Sequence, residues 1–103
     1  MLLVTTDQIP GRELEALGLV RGCTVQSKNF GRDFMSGLKN LVGGEITSYT
    51  EMMNEARAIA TKRMVADAEA LGADAIVCLR YASSAIMQGA AEVICYGTAV
   101  KFR

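Results

Sequence analysis

The residues best suited to chemistry are two cysteines near the C-terminus, Cys78 in "ADAIVCLRY" and Cys95 in "EVICYGTAV", each inside an apolar run. If the last hairpin is centred between Ile86 and Met87, residues whose numbers sum to 173 face one another. Cys78 then lies opposite Cys95 with Cβ atoms about 5 Å apart. A facing thiolate pair suits a soft, low-coordinate metal ion such as Cu(I). Tetrahedral Zn²⁺ needs four ligands, which three cysteines and no histidine do not readily supply. The simpler reading is that both are small apolar residues filling a core; a redox pair is the third. The absence of histidine also removes Ser-His-Asp, Cys-His and HExxH chemistry.

Other constellations carry less. Gly43-Gly44 precedes a helix, where free N–H groups attract anions, but Glu45 and Glu51 already supply carboxylates, and "GGEITS" lacks the lysine of a phosphate loop. Glu51 and Glu55 share a helical face, as a solvated face would, and nothing apolar beside them promises a raised pKa. Arg32-Asp33 with Arg57 reads as a structural ion pair. Met52-Met53 are soft-metal donors by type, yet Met53 and Met64 fall on a core stripe, so packing is the better reading. No catalytic motif emerges, and the chain is read as a non-enzyme.

Elements must position these groups. "LLVTT" reads as an N-terminal strand, and residues 14 to 27 as a long bulged strand. Helical spacing from Phe30 to Val42 predicts a short amphipathic helix ended by Gly43-Gly44. Ser48 with Glu51 forms a capping box that opens a long helix to Leu71, stopped by Gly72. Tyr49, Met53, Ala56, Ala60, Met64, Ala68 and Leu71 make a stripe about 36 Å long for a sheet to receive. Met52, Ile59 and Ala66 form a second line beside it, suited to a further contact. Strands over 75–83 and 91–102, joined by a loop from Ser84 to Gly89, complete the order β-β-α-α-β-β.

The chain has 103 residues, half of them apolar, and eleven charges of each sign, so one domain over residues 1–103 is expected without a field to attract nucleic acid. "MLLVTTD" lacks a basic n-region, and no apolar run reaches the ~20 residues of a membrane helix. Odd, unrelated cysteine spacing fits reduced thiols, so a cytoplasmic protein with neither membrane nor nucleic-acid partner is expected. "AIVCL" and "VICYGTAV" are apolar on both strand faces. One face suits the long helix; the other asks for a second copy of the chain, or for cover by the short helix and the N-terminal strand.

Arg32-Asp33-Phe34, Gly43-Gly44, the Tyr49 helix with Ala56-Arg57, Leu71-Gly72-Ala73-Asp74-Ala75 and Tyr96-Gly97-Thr98-Ala99-Val100 together resemble the YbjQ-like family of small bacterial and archaeal proteins, which carries a heavy-metal-binding label. The likeness spans nearly the whole chain. It implies a two-layer α+β subunit, similar in plan to dodecin subunits, with one long and one short helix on an antiparallel sheet, assembled as a five-membered ring. It brings no catalytic motif and no fixed ligand set. Three functions follow as expectations: a ring-forming binding or scaffold protein, a small-molecule carrier or enzyme with its pocket between subunits, and a structural interaction module.

Overall fold

The computed structural model describes residues 1–27, 41–42, 45–87 and 89–103. Strands β1 (Leu2–Leu3), β2 (Leu14–Ser27), β3 (Leu41–Val42) and β4 (Glu45–Ile46) precede helix α1 (Thr47–Ala70), and β5 (Ala75–Met87) and β6 (Ala90–Phe102) follow it. Four strands form one open sheet in the order β1-β5-β6-β2, and β3 pairs with β4 apart from it. The expected helix over Phe30–Val42 meets a correction at its end, since Leu41 and Val42 are extended and pair with Ile46 and Glu45. Its remainder, with Arg32, Asp33, Phe34, Leu38 and the Gly43-Gly44 pair, lies outside the described residues.

The sheet is mixed rather than antiparallel. β1 runs parallel to β5, Leu2 beside Ala75 and Leu3 beside Ile76, and the chain continues along that edge through bonds from Val4 N–H to the Ile76 carbonyl and from Leu79 and Cys78 N–H to the Val4 and Thr6 carbonyls. The physical reason is cover. Ala75, Val77 and Val100 form a buried cluster on the face away from α1, and Val4, Ile9, Leu14, Cys78 and Phe102 pack over it. Residues 4–13 carry the chain from the β5 edge to the β2 edge. The N-terminal segment therefore does half of what a second copy was expected to do.

On the other face α1 presents Ala56, Ala60, Met64 and Ala68, all fully buried, with Met52 at 2 %. These follow the i, i+4 row, which is inclined to the helix axis, so the helix crosses the sheet obliquely and the buried line passes through Met52 instead of Met53. Tyr49 and Leu71, the ends of the expected stripe, are exposed for the same reason. Contact is close enough that Gly22 of β2 sits against α1 backbone: a Cβ there would lie 2.5 Å from the Met64 nitrogen and closer still to the Ala60 carbonyl oxygen.

The helix begins at Thr47, one residue before the expected cap Ser48. Its end is a Schellman motif: Gly72 has φ 77°, Gly72 N–H bonds the Glu69 carbonyl and Ala73 N–H the Ala68 carbonyl.

Both long strands on the β6 side are bulged. In β2 the register shifts between Ala16 and Gly18, turning Leu14 toward one cluster and Leu17 and Val20 toward the other. In β5 it shifts between Val77 and Arg80, where Cys78 takes φ 56°, a left-handed conformation that costs a non-glycine residue roughly 1–2 kcal/mol. The expected loop from Ser84 is strand instead, because small uncharged residues extend the ladder to Met87 opposite Ala90 and Gly89, at φ 77°, allows a tight turn. The extents are 53 × 25 × 17 Å and the radius of gyration 16.8 Å, against about 13 Å for a compact chain this long. The outer half of the hairpin forms an arm that is exposed along β5 from Tyr81 to Met87 and buried along β6 at Ala90, Ala91 and Val93.

Candidate functional site

Cys95 lies on β6 between Gly22 of β2 and Tyr81 of β5, fully buried beneath α1. Its thiol donates to the Met64 sulfur at 3.4 Å. Beside it, Thr61 and Tyr81 hydroxyls are 2.8 Å apart, and Thr61 donates to the Arg57 carbonyl at 2.7 Å. The single Thr61 proton is thereby used, so Tyr81 donates to Thr61. Burial pushes the Cys95 thiol above its ordinary range, and the polar hydroxyls of Tyr81 and then Thr61 nearby offset part of the rise. A thiol held protonated is a poor nucleophile and a poor metal ligand.

Cys78 does not face it. Paired numbers sum to 175 below the bulge at Cys78, to 176 from Arg80 to Ala85, and to 177 at Met87 after a second shift, so the partner of Cys95 is Tyr81. The extra bulge residue and the short turn moved the ladder from the expected sum of 173. Cys78 packs half-buried against the opposite cluster, its N–H spent on the Thr6 carbonyl. Cys23 is exposed on β2 opposite Ile94. All three cysteines are described, and they occupy three separate surroundings. Among the described residues no three of the Cys, Asp and Glu side chains gather as a metal centre would require. A tetrahedral heavy-metal site within one chain does not fit these residues.

The remaining candidates resolve as structure. Met52 and Met64 are core, with Met53 packed against it. Glu51 and Glu55 are exposed. Arg57 donates to the Asn54 side chain at 2.9 Å, while Arg32 and Asp33 lie outside the described residues. Glu45 enters β4.

Sequence reasoning missed two contacts between α1 and the outer edge of β2. Arg63 donates to the Cys23 carbonyl at 2.7 Å, and the Arg21 N–H donates to Asp67 at 3.3 Å. Arg63 and Asp67 stand i, i+4 on the helix, a spacing that pattern reading assigns to each other or to solvent, and their partners are backbone groups with no side-chain signature. Arg63 also lines, with Ile59, Lys62 and Ala66, an open groove of about 460 Å³ along α1. Tyr81 was legible only as a strand residue, since its partner Thr61 is set by the bulge.

Comparison with known proteins shows what the chain as a whole is similar to. A family model described as "Putative heavy-metal-binding" matches residues 1–103. A UPF0145 protein of Clostridium novyi is 68 % identical over 98 % of each chain. One from Alkaliphilus metalliredigens is 66 % identical over 99 % of each, and an archaeal one from Methanosarcina acetivorans is 54 % identical over 98 % of this chain and 96 % of its own. The crystal structure of a protein of unknown function from Pediococcus pentosaceus, of the DUF74 family, superposes with a TM-score of 0.71 at 15 % identity, covering 100 % of this chain and 98 % of that one; this likeness concerns the fold. With its whole length matched and relatives of this identity in bacteria and archaea, the chain belongs to the YbjQ_1 family, the UPF0145 proteins.

Proposed function

We propose that this chain is a non-enzymatic, self-assembling binding or scaffold protein of the cytoplasm. The observation that carries the reading is the sheet face away from α1. Its lower half is covered by residues 4–13, while farther out Leu19 is 69 %, Val25 57 % and Tyr96 40 % exposed. An apolar surface of that kind on a small chain marks an interaction site. A second copy is the simplest cover, and a ring of five subunits follows from the family resemblance. The heavy-metal description finds no centre among the described residues of one chain, so this reading assigns no metal to Cys78 and Cys95.

A second reading is favoured by the groove along α1, where apolar Ile59 and Ala66 lie beside the cations Lys62 and Arg63. A carrier for a small amphipathic anion, with its pocket completed by a neighbouring subunit, would use it. Native mass spectrometry of untreated protein tests both together. Multiples of 11.0 kDa without stoichiometric ligand support the scaffold reading, and a retained organic anion supports the carrier. One transition-metal ion per subunit would overturn the assignment of no metal, and a sole monomer the assembly.

A further inference from the structure

The sheet has two outer edges, and the fold treats them differently. β2, the long edge strand, has its Arg21 N–H and Cys23 carbonyl occupied by Asp67 and Arg63 from α1, which blocks its middle against another strand. Among the described residues the other edge is covered only near its start. β1 pairs with Ala75 and Ile76, Val4 and Thr6 continue to Leu79, and the Arg80 side chain donates to the Thr5 carbonyl at 3.0 Å. Past Arg80 no described strand lies outside β5. Every residue from Tyr81 to Met87 is exposed, although cross-strand partners Cys95, Val93 and Ala91 are buried.

Among the described residues this edge carries one of the usual guards, a register shift between Ala85 and Met87 near its tip. From Tyr81 to Ala91 the sequence "YASSAIMQGAA" holds no charge and no proline, whereas soluble proteins protect exposed edges with lysine, proline or a covering segment. Resting on the self-assembly reading above, we propose that a second copy of this chain adds a strand to the outer edge of β5 along Tyr81–Met87. An uncharged edge meets its own copy without like-charge repulsion, and the whole chain is formally neutral. Ala82, Ser83, Ser84 and Ala85 are small enough for a strand to approach to the usual ~4.8 Å. Main-chain bonds then supply the attraction, with Tyr81, Ile86 and Met87 flanking them.

The test compares the full-length protein with Ser84→Lys and the uncharged control Ser84→Gln. Ser84 is exposed opposite Glu92, so a lysine there gains an opposite charge within the monomer and is compatible with its fold. Native mass spectrometry and light scattering at micromolar protein are expected to give an oligomer for wild type and Ser84→Gln, and 11.0 kDa for Ser84→Lys with unchanged far-UV circular dichroism. Amide exchange within residues 81–87 should be slow in the wild-type oligomer and at least tenfold faster in Ser84→Lys. An oligomer that survives Ser84→Lys, or wild-type amides there that exchange without protection, overturns the β5 edge while leaving self-assembly standing. A wild-type monomer overturns both. A protein of different mass that co-purifies with wild type and is lost in Ser84→Lys overturns the second copy as occupant.

Discussion

Gly22→Ala is the sharpest probe of how α1 meets the sheet. Gly22 has no positive φ, so its backbone conformation suits alanine. By chain entropy alone the substitution would stabilise by about 0.4–1 kcal/mol. The surroundings reverse the sign. The new methyl would lie 2.5 Å from the Met64 nitrogen, 2.9 Å from the Arg63 Cβ, and still nearer the Ala60 carbonyl oxygen. Two of these three atoms are helix backbone, which cannot rotate away as a side chain tip would. The helix must retreat, loosening Ala56, Ala60, Met64 and Ala68 together. Overpacking of this kind costs about 1–3 kcal/mol, and the upper end is expected because no rotamer change relieves it. At about 4–8 °C per kcal/mol for a domain this size, the melting temperature should fall by roughly 12–24 °C. Thermal unfolding by circular dichroism at one fixed protein concentration reads it, since an assembling chain melts higher at higher concentration. Arg63→Gly removes only the side-chain contact, so it should not restore Gly22→Ala. A rise in melting temperature, or rescue by Arg63→Gly, refutes the close-contact argument.

Ala60→Leu should destabilise by about 1–3 kcal/mol in denaturant titration, because Ala60 is wholly buried, while exposed Lys62→Ala should be nearly silent; equal shifts would place the buried row on the wrong side. For Cys95 the folded thiol pKa is raised above the ordinary 9.0, so as pH climbs past that value the unfolded chain gives up its proton first and stability declines. Urea midpoints at pH 8 and pH 10 should show a larger drop for wild type than for Cys95→Ala. With a thiol reagent at pH 8, exposed Cys23 should react first and Cys95 only on unfolding; reaction of Cys95 in the native protein would contradict its burial. Asp67→Ala should cost less than about 1 kcal/mol, since its bond to the Arg21 N–H is exposed and long, yet raise light scattering over days at high protein concentration by freeing the β2 edge. Unchanged scattering would show that the contact does not guard it.

The sequence carried the order of elements well wherever the signal was local. The alternating and glycine-interrupted stretch from Leu14 to Ser27 is one bulged strand, and Gly72 ends the long helix through its positive φ. Ala56, Ala60, Met64 and Ala68 were legible as core because small residues at helical spacing have few other uses. What failed depended on relations between distant segments. Parallel pairing of β1 with β5 leaves no mark in either stretch. The cysteine pair failed because a bulge adds one residue without altering composition: "AIVCLRY" reads the same with Cys78 in or out of the ladder. The arm was shortened because "SSAIMQG" looks like turn chemistry, although only Gly89 is needed to reverse the chain.

The β5 bulge has a consequence for chain length. Val77 pairs with Thr98 and Arg80 with Tyr96, so three steps on β5 are matched by two on β6. Removing Cys78 would make the steps equal. Leu79 would fall opposite Gly97, and every side chain from Arg80 to the tip of the arm would keep its present face and neighbour. The loss would be one amide bond to Thr6 and one side chain from the cluster behind the sheet. Removing Leu79 or Val77 would restore the same register but would take a buried side chain from the core. Position 78 is therefore where a homologous chain can drop a residue within β5 and still present the same arm.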